Sequence, residues 1–157
     1  MIEQQIKTLS INTRDMRKLM ESISFLVLED DQIDAEAIRR AFKELGISNQ
    51  LIIVKDGIDA LDYLSGSEKH GKLTPPFVIF VDLIMPRMSG LEFLDQLKKI
   101  PEARSAPVFV MSGSSDQDDI FRAYSHDIAG YIVKSDPVKS IRKALELLDY
   151  QWLLMKP

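Results

Sequence analysis

Short apolar runs alternate with amphipathic stretches along most of the chain. The segments "ISFLVLE", "NQLIIVKDG", "FVIFVDL", "APVFVMSG" and "GYIVKS" each hold a compact apolar run bounded by polar or turn residues, which predicts five buried strands. Between the first two, "DQIDAEAIRRAFKELG" predicts a helix with Ile33, Ala37, Ile38, Ala41, Phe42 and Leu45 on one face and a stop at Gly46. Shorter helices are predicted over "IDALDYLSG", "GLEFLDQLKKI" and "DQDDIFRAYSH". A long last one, "PVKSIRKALELLDYQWLLM", opens on Pro137. "SEKHGKLTPP" is a polar loop. Up to about Ser24 the chain is mixed and polar, with a sparse stripe of Met16, Leu19, Met20 and Ile23. Residues 1–22 are therefore expected to be an N-terminal extension or extra helix, and residues 23–157 one domain ending in an extended helix.

Strands alternating with helices call for parallel pairing through right-handed crossovers. The expected fold is α/β, a doubly wound five-stranded parallel sheet with helices on both faces. "FVIFVDL" is the most apolar of the strands and suits the sheet centre.

With 157 residues, the chain is long enough for one domain with a real core. It is 45% hydrophobic and 28% charged, an ordinary balance for a globular protein. A net charge of -4 and a pI near 5.2 argue against a nucleic-acid surface, which needs a dense positive stripe. Cysteine is absent, which removes disulfides, thiolate metal sites and cysteine nucleophiles. No apolar stretch has the length of a signal peptide core or a membrane span, so a cytoplasmic location is expected.

In an open parallel sheet, ligands bind beyond the carboxyl ends of the strands. The polar residues at those ends are Glu29, Asp30 and Asp31 after the first strand, Asp82 after the third, Ser112 after the fourth and Lys134 after the fifth. Each has an ordinary explanation. Asp31 or Asp34 can cap the following helix, Asp82 can be a surface acid, Ser112 with Gly113 a turn, and Lys134 a snorkelling edge lysine. Their joint convergence on one rim is harder to explain away. Two carboxylates about 4 Å apart repel by roughly 4 kcal/mol at an effective dielectric near 20, so Glu29, Asp30 and Asp82 together call for a cation. Hard oxygen donors without sulfur or nearby imidazole point to magnesium.

These residues stand in motifs that resemble the receiver domain of two-component response regulators, over about Ile23 to Asp149. They are the acid pair in "VLEDD", the Asp in "VDLIMPRMSG", the Ser in "VMSG", and the aromatic and Lys in "GYIVK". The resemblance implies a flavodoxin-like strand order 2-1-3-4-5. It implies that Asp82 accepts a phosphoryl group from the phosphohistidine of a histidine kinase. Magnesium would be held by Glu29, Asp30, Asp82 and the backbone carbonyl of Ile84. Ser112 and Lys134 would steady the phosphoryl oxygens, and Tyr131 would be the aromatic that responds to them. The segments "IVKS", "SGSEKHGKLTPP" and "LDYQWLLMKP" are similar to the small single-domain regulators of bacterial phytochrome kinases, which implies a partner of that type. Ser135 departs from the family pattern, which places proline after the lysine.

Ile84, two residues past Asp82, cannot orient water, and Ser114, two past Ser112, does so weakly; slow self-dephosphorylation is the expectation. No output domain is visible, so the output is expected to be binding to a downstream protein. Val138, Ile141, Leu145, Leu148, Trp152 and Met155 form a seam at spacings of three and four. Its first half would cover the sheet. Its end would reach beyond, consistent with a homodimer through the last strand and helix. Two other readings compete with this phosphoacceptor, which is not a conventional enzyme. A degenerate receiver acting as a constitutive interaction module conflicts with the full set of acids, hydroxyl and lysine. An aspartate-nucleophile hydrolase needs a second Asp where Ile84 stands.

Overall fold

A computed structural model describes residues 13–67, 70–134 and 136–155; the side chains of Thr13, Asp15, Met16, Arg17 and Leu19 and those beyond Leu148 lie outside the described residues. The elements are α1 (Thr13–Ser22), β1 (Ser24–Leu28), α2 (Gln32–Glu44), β2 (Leu51–Val54), α3 (Gly57–Ser65), β3 (Phe77–Val81), α4 (Gly90–Leu97), β4 (Val108–Ser112), α5 (Gln117–Tyr124), β5 (Gly130–Val133) and α6 (Pro137–Met155). The strands pair in parallel in the order β2-β1-β3-β4-β5. The five-stranded, flavodoxin-like sheet expected from the sequence is therefore present. β3 lies at its centre and is buried throughout, which its unbroken "FVIFV" requires of a strand covered on both faces.

Alternation along the strands divides the core in two. Leu26, Leu28, Ile79 and Val81 face α3 and α4, where they meet Leu64, Phe93 and Leu97. Phe25, Val27, Val78 and Phe80 face α2 and α6, where they meet Ile38, Phe42, Ile141 and Leu148. Phe80 stacks between Phe25 and Phe109, and Phe42 presents its edge to Phe25. Each fully buried side chain of this size contributes roughly 1.5–3 kcal/mol of transfer free energy. The first half of the last helix covers the sheet, as its apolar seam requires, with Ile141, Ala144 and Leu148 buried.

One predicted face residue is displaced. Ile33 is 77% exposed. At 3.6 residues per turn it lies about 140° from Ile38 and about 180° from Phe42, so the two residues that anchor α2 turn it outward. The N-terminal helix is real over Thr13–Ser22, and Asn49 closes its carboxyl end by donating to the carbonyls of Met20 and Ile23. Residues 1–12, Ser135 and the side chains of Met16, Leu19, Trp152 and Met155, all of which carried expectations, lie outside the described residues. Among the described residues no helix is long and apolar enough to cross a membrane.

Five helices begin on the rim formed by the carboxyl ends of the strands, each with an acid or serine before it; at α6 this is Asp136, which accepts from Val138 N–H. Asp31, Asp56, Ser89 and Asp116 accept from the backbone N–H of Asp34, Asp59, Glu92 and Asp118 respectively. Asp31, and not Asp34, is thus the capping member of the "EDD" run.

Candidate functional site

The residues predicted to matter are held by the same device, one further rung of the parallel ladder beyond the strand end. Glu29 N–H donates to Val54 O, Asp82 N–H to Leu28 O, and Lys134 N–H to Ser112 O. Main chain at the rim is therefore fixed by its neighbours across the sheet, and the side chains of β1, β3 and β5 turn toward one another. Gly90 completes the wall: a Cβ there would lie 2.5 Å from the carbonyl oxygen of Asp82, so only glycine lets α4 start so close.

At the centre is the Lys134 ammonium. It donates to Asp82 Oδ2 at 2.8 Å and to Glu29 Oε1 at 2.5 Å, with Asp34 Oδ2 farther off at 3.5 Å. Carboxylate oxygens of Glu29, Asp30 and Asp82 lie within 4.8 Å of one another. Glu29 is the buried member, its side chain 2% exposed, and its second oxygen accepts from Asp31 N–H. Burial pushes the Glu29 carboxyl above its ordinary value; the hydrogen bond and charge of Lys134 and the Asp31 N–H pull it down only in part, and the nearby Asp82 adds to the rise. Burial works against the charge on Lys134 too, but its hydrogen bonds to Asp82 and Glu29, with their charges, outweigh that and hold the ammonium above the ordinary lysine value. The donor set is oxygen alone, with more negative charge than the one lysine balances. It fits a hard divalent cation.

The other predicted residues border this cluster. Ser112 is buried at the end of β4, and its Oγ accepts from Ser114 N–H at 3.3 Å. Tyr131 is half-buried against the core and donates from its hydroxyl to Ser114 O at 2.8 Å, tying β5 to the β4–α5 loop. Ser114 Oγ is itself engaged, donating to Asp119 Oδ2 at 2.7 Å. Ile84 exposes its side chain at the rim and donates its N–H to Asp82 Oδ1 at 3.2 Å.

Two features escaped the sequence reading. Asp34 joins the lysine's surroundings; its place in the first turn of α2 was visible, its partner 100 positions away was not. Asp56, buried at the start of α3, accepts two hydrogen bonds from Arg87 of the β3–α4 loop. The Asp-Gly pair looked like a turn and nothing more. A second group of potential ligands among the described residues, Asp59, Asp62 and His70, shares no side chain with this cluster. There His70 stacks on Tyr63 and pairs with Asp59 at 2.7 Å, which fastens it to α3.

A five-stranded parallel sheet with carboxylates, a hydroxyl and a lysine converging on one rim defines the class, and the comparisons agree. The model of the response regulator receiver domain matches residues 25–146, and the chain belongs to that family. It is 32% identical to the probable methanogenesis regulatory protein FilR2 of Methanothrix harundinacea, over 91% of this chain and 92% of that protein. It is 29% identical to the response regulator Rcp1 of Synechocystis sp., over 82% of this chain and 87% of the relative. The Mn(2+)-bound form of Rcp1 superposes with a TM-score of 0.68 at 28% identity, covering 85% of this chain and 96% of that one. The phosphorylated cyanobacterial phytochrome response regulator RcpA gives a TM-score of 0.70 at 28% identity, covering 84% and 94%.

Proposed function

We propose that this receiver takes a phosphoryl group on Asp82 from the phosphohistidine of a histidine kinase and signals by phosphorylation-dependent binding to another protein. The observation that carries the reading is the Lys134 ammonium seated between Asp82 and Glu29 at the sheet rim. An oxygen of Asp82 attacks phosphorus as the P–N bond to imidazole breaks, and the imidazole leaves with the bonding pair. Little covalent chemistry is asked of the protein, so positioning and charge do most of the work. Lys134 supplies a fixed positive charge beside the attacking carboxylate, and Ser112, whose Oγ accepts from Ser114 N–H, donates its own proton to a phosphoryl oxygen.

Glu29, Asp30, Asp82 and the main-chain carbonyl of Ile84 would hold magnesium, which would offset the charge of the transferring oxygens. The metal in the Rcp1 structure and the phosphoryl group on RcpA support both halves of this reading. Tyr131, already bonded to Ser114 O, is the natural relay: a movement of the Ser112 loop toward a phosphoryl group alters what its hydroxyl can reach. The likeness to a phytochrome response regulator favours a phytochrome-type kinase as donor. A homodimer through β5 and α6 and a downstream protein complete the partners. Residues 1–22 are assigned as an extension and 23–157 as the receiver domain.

Intact-mass analysis after incubation with a small-molecule phosphodonor tests the centre of this reading. A single magnesium-dependent phosphoryl adduct, absent from Asp82→Asn, is the expected result. No adduct under any condition would overturn it in favour of a constitutive binding module.

A further inference from the structure

Behind the acidic cluster, two adjacent residues of the β3–α4 loop grip two adjacent residues at the start of α3. Arg87 donates from Nε and Nη2 to Asp56 Oδ2, at 3.0 and 2.5 Å. Met88 lies so close to Gly57 that a Cβ there would sit 2.8 Å from its Sδ. Asp56 is a firm anchor: its side chain is 8% exposed, and its other oxygen already caps α3 by accepting from Asp59 N–H at 2.9 Å.

Arg87 is mostly exposed, so the ion pair itself adds little to stability. Yet its backbone lies in the left-handed region, at φ 62, which costs a residue with a side chain about 1–2 kcal/mol. The loop therefore accepts an unfavourable backbone conformation in order to aim this one side chain at Asp56.

The segment from Asp82 to Gly90 is consequently fixed at both ends. Its base closes where Ile84 N–H meets Asp82 Oδ1 and Gly90 N–H meets Leu83 O. Its tip is held by Arg87 and Met88. Between base and tip runs the main chain of Ile84, the proposed fourth oxygen donor. We infer that Arg87 is a positioning residue for the cation seat, its bond to buried Asp56 holding the Ile84 backbone in register with the Asp82 carboxylate. The inference rests on the reading of the rim as a divalent-cation site. Loss of such a support typically weakens metal affinity about tenfold or more.

Free Mn2+, followed by electron paramagnetic resonance during titration of the full chain, reads the affinity without any phosphoryl chemistry. Arg87→Gly removes the tether while accepting the left-handed backbone. It should stay close to the metal-free melting temperature of the wild type, the relieved left-handed backbone offsetting the lost ion pair, and bind Mn2+ about tenfold more weakly. Arg87→Lys, which restores the charge without the paired nitrogens, should fall between the two. Asp56→Asn keeps a capping side chain and removes the anchor's charge, so it should match Arg87→Gly in Mn2+ affinity while losing some stability; if it fails to fold, the two Arg87 variants still decide. Wild-type Mn2+ affinity in Arg87→Gly would overturn the inference. So would an affinity loss that simply tracks melting temperature across the variants. A wild-type chain that binds no Mn2+ would overturn the reading of the rim, and this inference with it.

Discussion

Lys134 reaches 52 positions back along the chain to Asp82, donating to its Oδ2 at 2.8 Å, and from the same nitrogen donates to Glu29. One cation thus occupies the ground between two carboxylates that a metal ion would also share. Lys134→Met leaves Glu29 buried without its cation, and the variant should lose about 1–3 kcal/mol in urea unfolding, the usual penalty of an unpartnered buried polar group. Magnesium, no longer competing with the ammonium, should then stabilise the variant more than the wild type. Equal stability without magnesium would mean the lysine contributes nothing to the resting rim.

The rim should also write itself into the pH dependence of stability, with signs that differ by residue. Glu29 is raised above 4.5, so its folded state favours the proton. Its contribution is full below that value and is lost as pH rises through its folded pKa. Glu29→Gln should therefore gain on the wild type above pH 4.5 and match it below. Asp56 is lowered from 3.8: burial opposes the shift, but the Asp59 N–H and then Arg87 prevail. Its contribution is present above that value and disappears as pH falls through its folded pKa, so the deficit of Asp56→Asn should shrink in acid. Lys134 is raised from 10.5, and its contribution is lost only as pH climbs beyond that through its folded pKa. Urea midpoints across pH for the three pairs check all of this, and a Glu29→Gln curve parallel to wild type would contradict the first sign.

Both the fold and the meeting of Glu29, Asp30, Asp82 and Lys134 on one rim were legible because period and position carry them. "FVIFV" could only be a central strand, and a residue that ends a parallel strand faces the ligand rim whatever its partners are. Ile33 misled because a helical face was drawn from its apolar members alone, while the angle was set by Ile38 and Phe42 on the core. Asp56 and Arg87 were illegible for another reason. Asp56 stands as near the end of β2 as Asp30 does to that of β1, but with Gly57 it reads as the strand's boundary, and its partnership depends on a left-handed backbone at Arg87 that no pattern of residue types announces. Lys134–Asp34 shows the same limit: an acid in a first helical turn is ordinary until the fold brings it a lysine.

An acyl phosphate formed on Asp82 should decay slowly. Rapid hydrolysis needs a polar side chain to orient water at phosphorus. Ile84 offers an exposed alkyl group there, 78% accessible, and the Ser114 hydroxyl is already spent on Asp119 at 2.7 Å. Phosphoryl loss from the isolated protein should take many minutes, and Ile84→Asn should speed it several-fold without changing uptake. Decay within seconds in the wild type would show that another group orients the water.

The face made by β5 and α6 is the remaining test. β5 is an edge strand of the sheet, and among the described residues Val133 and Leu147 expose apolar side chains on it. Leu147 leans over the start of the strand on the α6 side, its Cδ1 3.3 Å from where a Cβ on Gly130 would stand, while Val133 points to the opposite face with Tyr131, so the edge carries exposed apolar surface on both faces of the sheet. An uncovered edge beside such a surface favours a second copy as its cover. Sedimentation of the wild type should reveal a dimer, and Val133→Lys with Leu147→Lys should give a folded monomer that still takes up phosphoryl from a small donor. Because neither side chain takes part in the hydrogen bonds of Lys134 and Asp82, retention of uptake separates a lost interface from a damaged rim. A wild-type chain that sediments as a monomer both with and without phosphorylation would reject the dimer and leave this face to the downstream protein.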